Sequence, residues 1–124
     1  MLKPLLVFVG GGAGAVVRYI AGIAIMQRFA GAFPLGTLVI NVTGSFLIGV
    51  LMTLFTERLE VSPNWRFLLV VGFLGGYTTF SSFEYETIKA VRDGAAGIGI
   101  LNVLASVIAG YCAVWLGIVI TARA

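Results

Sequence analysis

Histidine is absent, cysteine occurs once, and only five residues of 124 are acidic. Each shortage removes a class of chemistry. Without imidazole there is no histidine acid–base catalysis and no His-ligated metal site. Cys112 stands alone in an apolar run, which leaves no disulfide framework, zinc site or redox pair. Charged residues make up 10% of the chain and hydrophobic residues 60%, whereas a soluble domain of this size carries roughly 25% charged residues. So much apolar surface exceeds what a small core hides, and the remaining charges are too few to dress an outside. Lipid is the solvent this composition demands. The net charge of +3 does not point to nucleic acid, because the eight basic residues are scattered singly. Basic residues so placed mark the ends of membrane spans.

A spanning helix needs about 20 mostly apolar residues. Four stretches meet that requirement, approximately residues 4–26, 35–55, 65–90 and 98–120, within a single transmembrane domain over 1–124. Short polar joins separate them, and Glu57, Arg58, Glu60, Ser62 and Pro63 make the second join the clearest. The first span does not read as a signal peptide, since it is too long, contains Arg18 and is not followed by a polar region. The expected fold class is therefore an all-α integral membrane protein of four transmembrane helices.

An even number of spans puts both ends of the chain on one side, together with the second join. That side holds Lys3, Arg58, Arg66 and Arg123; the other holds Arg28, Lys89 and Arg92. Such a small asymmetry does not select one orientation. Either one or two loop charges dominate, or the chain inserts both ways and pairs as an antiparallel dimer. Four short helices enclose little volume, and Gly10, Gly11, Gly12 and Gly14 on the first span, with Gly36, Gly44 and Gly49 on the second, allow close helix approach. A solute route between subunits or in narrow grooves fits better than a wide lumen.

Polar groups at membrane depth are costly and mark functional candidates. Thr37, Asn41 and Ser45 recur every four residues on one helical face. Thr78, Thr79, Ser81 and Ser82 surround Phe80, and Phe83, Glu84 and Glu86 follow; Asn102 and Ser106 lie one turn apart on the fourth span. A single hydroxyl serves as helix–helix glue more often than it lines a path. Asn41 is harder to assign to glue, because its amide brings two donors and an acceptor into the interior. Neutral hydroxyl and amide groups suit a partly dehydrated ion that must bind and leave. Arg18, well inside the first span, either snorkels, pairs with a glutamate or holds an anion in an aqueous vestibule.

The third span is interrupted at GFLGGYTTFSSF, Gly72 to Phe83, where Gly75-Gly76 weakens the helix and Thr78-Thr79 adds β-branched residues. A break at membrane depth frees carbonyls for a cation or N–H groups for an anion; a plain glycine kink is the alternative. Phe80 and Phe83 share a helical face, either as packing or as rings whose positive edges meet a small anion. Gly10, Gly12 and Ala15 imitate a dinucleotide turn after LLVFV, but the first acidic residue is Glu57 and no βαβ sheet fits. With no P-loop lysine and no nucleophile–base pair, the chain does not read as an enzyme.

Taken together, GGGAGAVVRY in the first span, PLGTLVINVTGSFLIG in the second and GFLGGYTTFSSF in the third resemble the bacterial fluoride channel family (Fluc, also called CrcB). The resemblance covers essentially the whole chain, and the second and third blocks are its specific parts. It implies a dual-topology antiparallel homodimer in the bacterial plasma (inner) membrane, with two fluoride pores, passive electrogenic fluoride export and a central structural sodium ion. Carried over by position, Asn41 is the pore amide that donates to fluoride, and Phe80 and Phe83 are the ring pair. Thr79, Ser81, Ser82, Glu86 and Ser106 fall on the pore's polar route, and Arg18 on the vestibule. Gly75 and Thr78 match the carbonyls that hold sodium. The implied partners are fluoride, membrane lipid and a second copy of the chain, with no nucleic acid.

Two positions depart from the family pattern. Glu84 stands where a small hydroxyl residue is common, and Gly110 where the fourth span commonly carries a serine, leaving Asn102 and Ser106 as the polar groups there. A small multidrug exporter is a rival four-helix class. It wants an acidic residue deep in the first span, where this chain has Arg18. A non-transporting assembly protein is the other rival, with Asn41 and the interrupted span as glue.

Overall fold

A computed structural model describes residues 1–124. It is all-helical. Helix α1 spans Leu2–Arg28, α2 spans Leu35–Arg58, α3 covers residues 64–77, α4 spans Phe80–Arg92 and α5 spans Ala96–Arg123. α3 and α4 together form the third crossing, Asn64–Arg92, and all four crossings are long and apolar enough to traverse a bilayer. The helices overrun the spans expected from sequence by at most three residues at any end.

Local sequence explains the boundaries. All three prolines stand at helix starts: Pro4 in the first turn of α1, Pro34 just before α2 and Pro63 just before α3. A missing N–H costs nothing there, because first-turn amides have no intrahelical acceptor. Basic residues occupy last turns, namely Arg28, Lys89 with Arg92, and Arg123, where they oppose the negative end of the helix dipole. Gly94, at φ 85°, turns the chain out of α4 in a conformation that other residues resist. Two stretches, Leu54–Arg58 and Phe67–Leu74, are wound as wider π-type turns.

Glycines decide which helices cross closely. A Cβ at Gly10 or Gly14 of α1 would collide with the Leu68 and Phe73 carbonyls of α3, and one at Gly76 would collide with the Gly11 carbonyl. α2 and α5 meet in the same way, through Gly49 against the Val114 carbonyl and Gly117 against the Phe46 carbonyl. In lipid, where apolar burial drives little association, backbone-to-backbone approach supplies the dispersion contact that holds helices together. Gly12, grouped by sequence with the packing glycines, is different: a Cβ there would have nothing within 4 Å, and the residue faces outward.

The interior is small. Only 15 of 124 residues are buried, and the apolar ones are Ile40, Val70, Leu74 and Phe83, with Phe8, Tyr111 and Trp115 among the large side chains left outside. A chain that turns so many rings and aliphatics outward is built for acyl chains or for a second protein surface.

The interruption of the third crossing falls at Thr78-Thr79 rather than at the glycines. Gly75 keeps helical angles of φ −61° and ψ −36°, whereas Thr78 and Thr79 are extended at φ −86°, ψ 156° and φ −148°, ψ 120°. Gly76 is taken up by close approach to α1, where a Cβ would collide with the Gly11 carbonyl, while Gly75 is exposed. The threonines have what a break needs: β-branching that disfavours the helix, and a hydroxyl that caps the next one. Thr79 Oγ1 accepts from Ser82 N–H at 3.2 Å, starting α4.

Candidate functional site

The break is held open by one side chain from another helix. Asn41, about two turns into α2, donates from Nδ2 to the Thr79 carbonyl at 2.9 Å and accepts from Thr79 N–H at its Oδ1 at 2.8 Å. The amide thus replaces both backbone partners that Thr79 loses on leaving the helix. An amide nitrogen carries two N–H groups, and Thr79 takes one of them. Gly44, one turn further along α2, has no room for a Cβ against the Thr78 methyl, so the break lies directly on α2.

Two recesses meet at this pair. The larger, an open cleft of about 470 Å³, is lined by Asn41, Gly44, Ser45, Gly75, Thr78, Thr79, Phe80, Phe83 and Ser106 together with aliphatic residues, and no charged side chain enters it. The smaller, about 360 Å³, is lined by Arg18, Thr37, Thr79, Ser82 and Glu86 among others. Thr79 contributes to both, so the Asn41–Thr79 pair stands where they adjoin. The face of α2 expected from its spacing works as one: Thr37 donates to Glu86 Oε1 at 2.5 Å, Asn41 binds Thr79, and Ser45 lines the cleft.

Arg18 takes a position that sequence left open. Its Nε donates to the Gly76 carbonyl at 3.1 Å, placing a guanidinium at the negative end of α3. It shares the smaller recess with Glu86 without forming an ion pair; the only salt bridge joins Lys89 to Asp93 at 2.8 Å, at the end of α4. The two phenylalanines differ in setting. Phe83 is buried while Phe80 is 71% exposed, with ring centroids 5.7 Å apart and planes inclined by 45°. Ser81 is exposed and lines neither recess, and Glu84 is likewise exposed. At Gly110 a Cβ would meet only Ser45 Oγ, at 3.7 Å, so the residue sits beside the polar face of α2.

Gly75 and Thr78 both line the cleft, and the break frees their carbonyls. Thr79 N–H, which a continuous helix would direct to Gly75, goes to Asn41 Oδ1. Ser82 N–H, which would reach Thr78, goes to the Thr79 hydroxyl. Thr87 and Tyr77 escape sequence reasoning. Thr87 is bonded to Asn102 at 2.9 Å, and the Tyr77 hydroxyl bonds Thr43 at 2.8 Å, bracing the end of α3 on α2. A threonine one turn after Phe83 carries no signal of its own, since its role depends on which helix lies opposite.

The family model described as "CrcB-like protein, Camphor Resistance (CrcB)" matches residues 5–118, which include every residue of both recesses. The chain belongs to the CrcB family. Among its relatives is a protein of Solibacter usitatus named fluoride-specific ion channel FluC, 57% identical over 98% of this chain and the whole of the relative. Proteins of the same name from Acidobacterium capsulatum and Coxiella burnetii are each 46% identical, over 98% and 96% of the chain and 98% and 97% of the relatives. As a CrcB protein with four apolar crossings, the chain is a multi-pass membrane protein. Its relatives bear the name of a channel and not of an enzyme.

Proposed function

We propose that two copies of this chain, inserted in opposite orientations, form a fluoride-selective channel that drains fluoride passively from the bacterial cytoplasm through two pores. The observation that carries this reading is the Asn41–Thr79 pair, standing between a neutral cleft edged by phenylalanines and a recess holding a guanidinium. Its agreement with the name of the relatives is the second support.

Fluoride is small and tightly hydrated, so a conducting site must return donors as it removes water. The second N–H of Asn41, the hydroxyls of Ser45 and Ser106, and the ring edges of Phe80 and Phe83 offer them without a full positive charge that would trap the ion. On the other side of the pair, Arg18 attracts anions into the recess shared with Thr37, Ser82 and Glu86. Chloride, being larger, gains less from the same close-set donors. The membrane voltage assists an anion outward by about 2.3 kcal/mol per 100 mV, so a passive pore suffices.

A second copy completes what one chain leaves open. Phe80 and Gly75 are both exposed, and both line the open cleft. The near balance of Lys3, Arg58, Arg66 and Arg123 against Arg28, Lys89 and Arg92 allows both orientations. A structural sodium ion would be held by the Gly75 and Thr78 carbonyls, one pair from each copy. Oxygen-only donors of this kind fit a hard monovalent cation, and its charge would fix the two breaks against each other.

Purified protein in liposomes tests the reading. A fluoride electrode should register rapid release that needs a counter-ion path, with chloride release at background. Well-reconstituted protein that releases no fluoride removes it.

A further inference from the structure

Asn102 is the largest fully buried side chain, at 2% exposure, yet it lines neither recess. So enclosed an amide is tolerated only when its bonds are made, and here each leads to the site. Asn102 Nδ2 donates to Thr87 Oγ1 at 2.9 Å, and Thr87 Oγ1 donates to the Phe83 carbonyl at 2.8 Å. Ser106 Oγ donates to Asn102 Oδ1 at 3.4 Å. A threonine hydroxyl has one proton. With that proton on the Phe83 carbonyl, Thr87 accepts from Asn102, and the direction of the relay is set. Both ends of it, Phe83 and Ser106, line the larger cleft.

The helices are pinned at the same place. A Cβ at Gly99 would stand 3.2 Å from the Thr87 carbonyl and 2.9 Å from a Val91 methyl, so a side chain there would press the Val91 methyl and the α4 backbone aside, and glycine lets α5 lie close to α4. Gly99, Asn102 and Ser106 follow i, i+3, i+7 spacing and form one face of α5. Close approach puts the Asn102 amide within reach of α4, and the amide then locks the register.

We infer that Asn102 is a positioning residue of the conducting site: through Thr87 it sets where α4 holds Phe83, and directly it sets the resting direction of the Ser106 hydroxyl, without touching the ion. The inference rests on the fluoride-channel reading of the same cleft. The 3.4 Å bond to Ser106 is long, so this hydroxyl turns to an entering anion at small cost, while the two shorter bonds keep Phe83 in place.

The test uses full-length protein in liposomes with variants that keep shape. Wild type must release fluoride first; if it is silent, the channel reading fails, which is a different result from failure of the relay. Thr87→Val and Asn102→Leu should each lower fluoride release about tenfold, as an orphaned buried partner implies. Thr87→Ser, which keeps the hydroxyl, should stay within about twofold of wild type, and the Thr87→Val/Asn102→Leu double variant should lose no more than either alone. Monodisperse elution in detergent checks the fold. Should Asn102→Leu fail it, the Thr87→Val and Thr87→Ser pair decides by itself. Equal release from those two, whether both normal or both reduced, overturns the inference, as do independent, multiplying losses in the double variant.

Discussion

Replacing Asn41 by aspartate keeps the shape of the side chain and reverses its chemistry at the point where the two recesses adjoin. Thr79 N–H still finds an oxygen, so the 2.8 Å bond survives. The 2.9 Å bond to the Thr79 carbonyl becomes a contact between two oxygens. Leaving that carbonyl unpaired costs about 1–3 kcal/mol. The larger effect is on the ion. A carboxylate about 4 Å from fluoride at an effective dielectric near 20 repels it by about 4 kcal/mol, which is about a thousandfold in rate at 1.36 kcal/mol per decade. Asn41→Ala, which loses both bonds to Thr79 but adds no charge, should be impaired far less, by about tenfold. Fluoride-electrode traces from liposomes of equal protein content measure both. Asn41→Asp release within about threefold of wild type, or equal losses in the aspartate and alanine variants, would refute the argument that a neutral donor at this position governs throughput.

Phe80→Ile and Phe83→Ile keep apolar bulk and remove the ring edge, and both should lose at least about tenfold in fluoride release. Phe83→Ile should also lower the melting temperature in detergent, since only Phe83 is buried, and wild-type conduction in both variants would make the rings packing alone. Gly14→Ala should destabilise by about 1–3 kcal/mol, because its methyl meets the Phe73 carbonyl backbone to backbone. Gly12→Ala, with open space around it, should unfold at the wild-type temperature, and similar behaviour of the two in a thermal melt would contradict the packing described. In a Cys112→Ser background, an impermeant thiol reagent should label only part of the Val61→Cys molecules, in the join after α2, while cells are intact and the remainder once the cells are opened; labelling of all or none in intact cells would exclude dual insertion.

The number of crossings and their approximate limits were legible because lipid imposes a simple rule, that backbone polar groups be satisfied within each span, and so demands about 20 apolar residues at a stretch. The three prolines and the clustered polar joins then place the boundaries. Asn41 was legible for the same reason: an amide in an apolar run is expensive wherever it points. The spacing of Thr37, Asn41 and Ser45 also showed that they share a face, since helical period is a local property.

Only the tertiary structure decided what that face meets. It assigned Asn41 to the backbone of Thr79, narrowed the interruption within Gly72–Phe83 to Thr78-Thr79, and placed the Arg18 Nε on the Gly76 carbonyl. It separated buried Phe83 from exposed Phe80, and it enclosed Asn102, whose amide looks no different in sequence from one facing a pore. Periodicity is set within a single helix and can be read along the chain. Partnership depends on which glycine stripe admits which neighbouring backbone, and that is settled only when the helices pack.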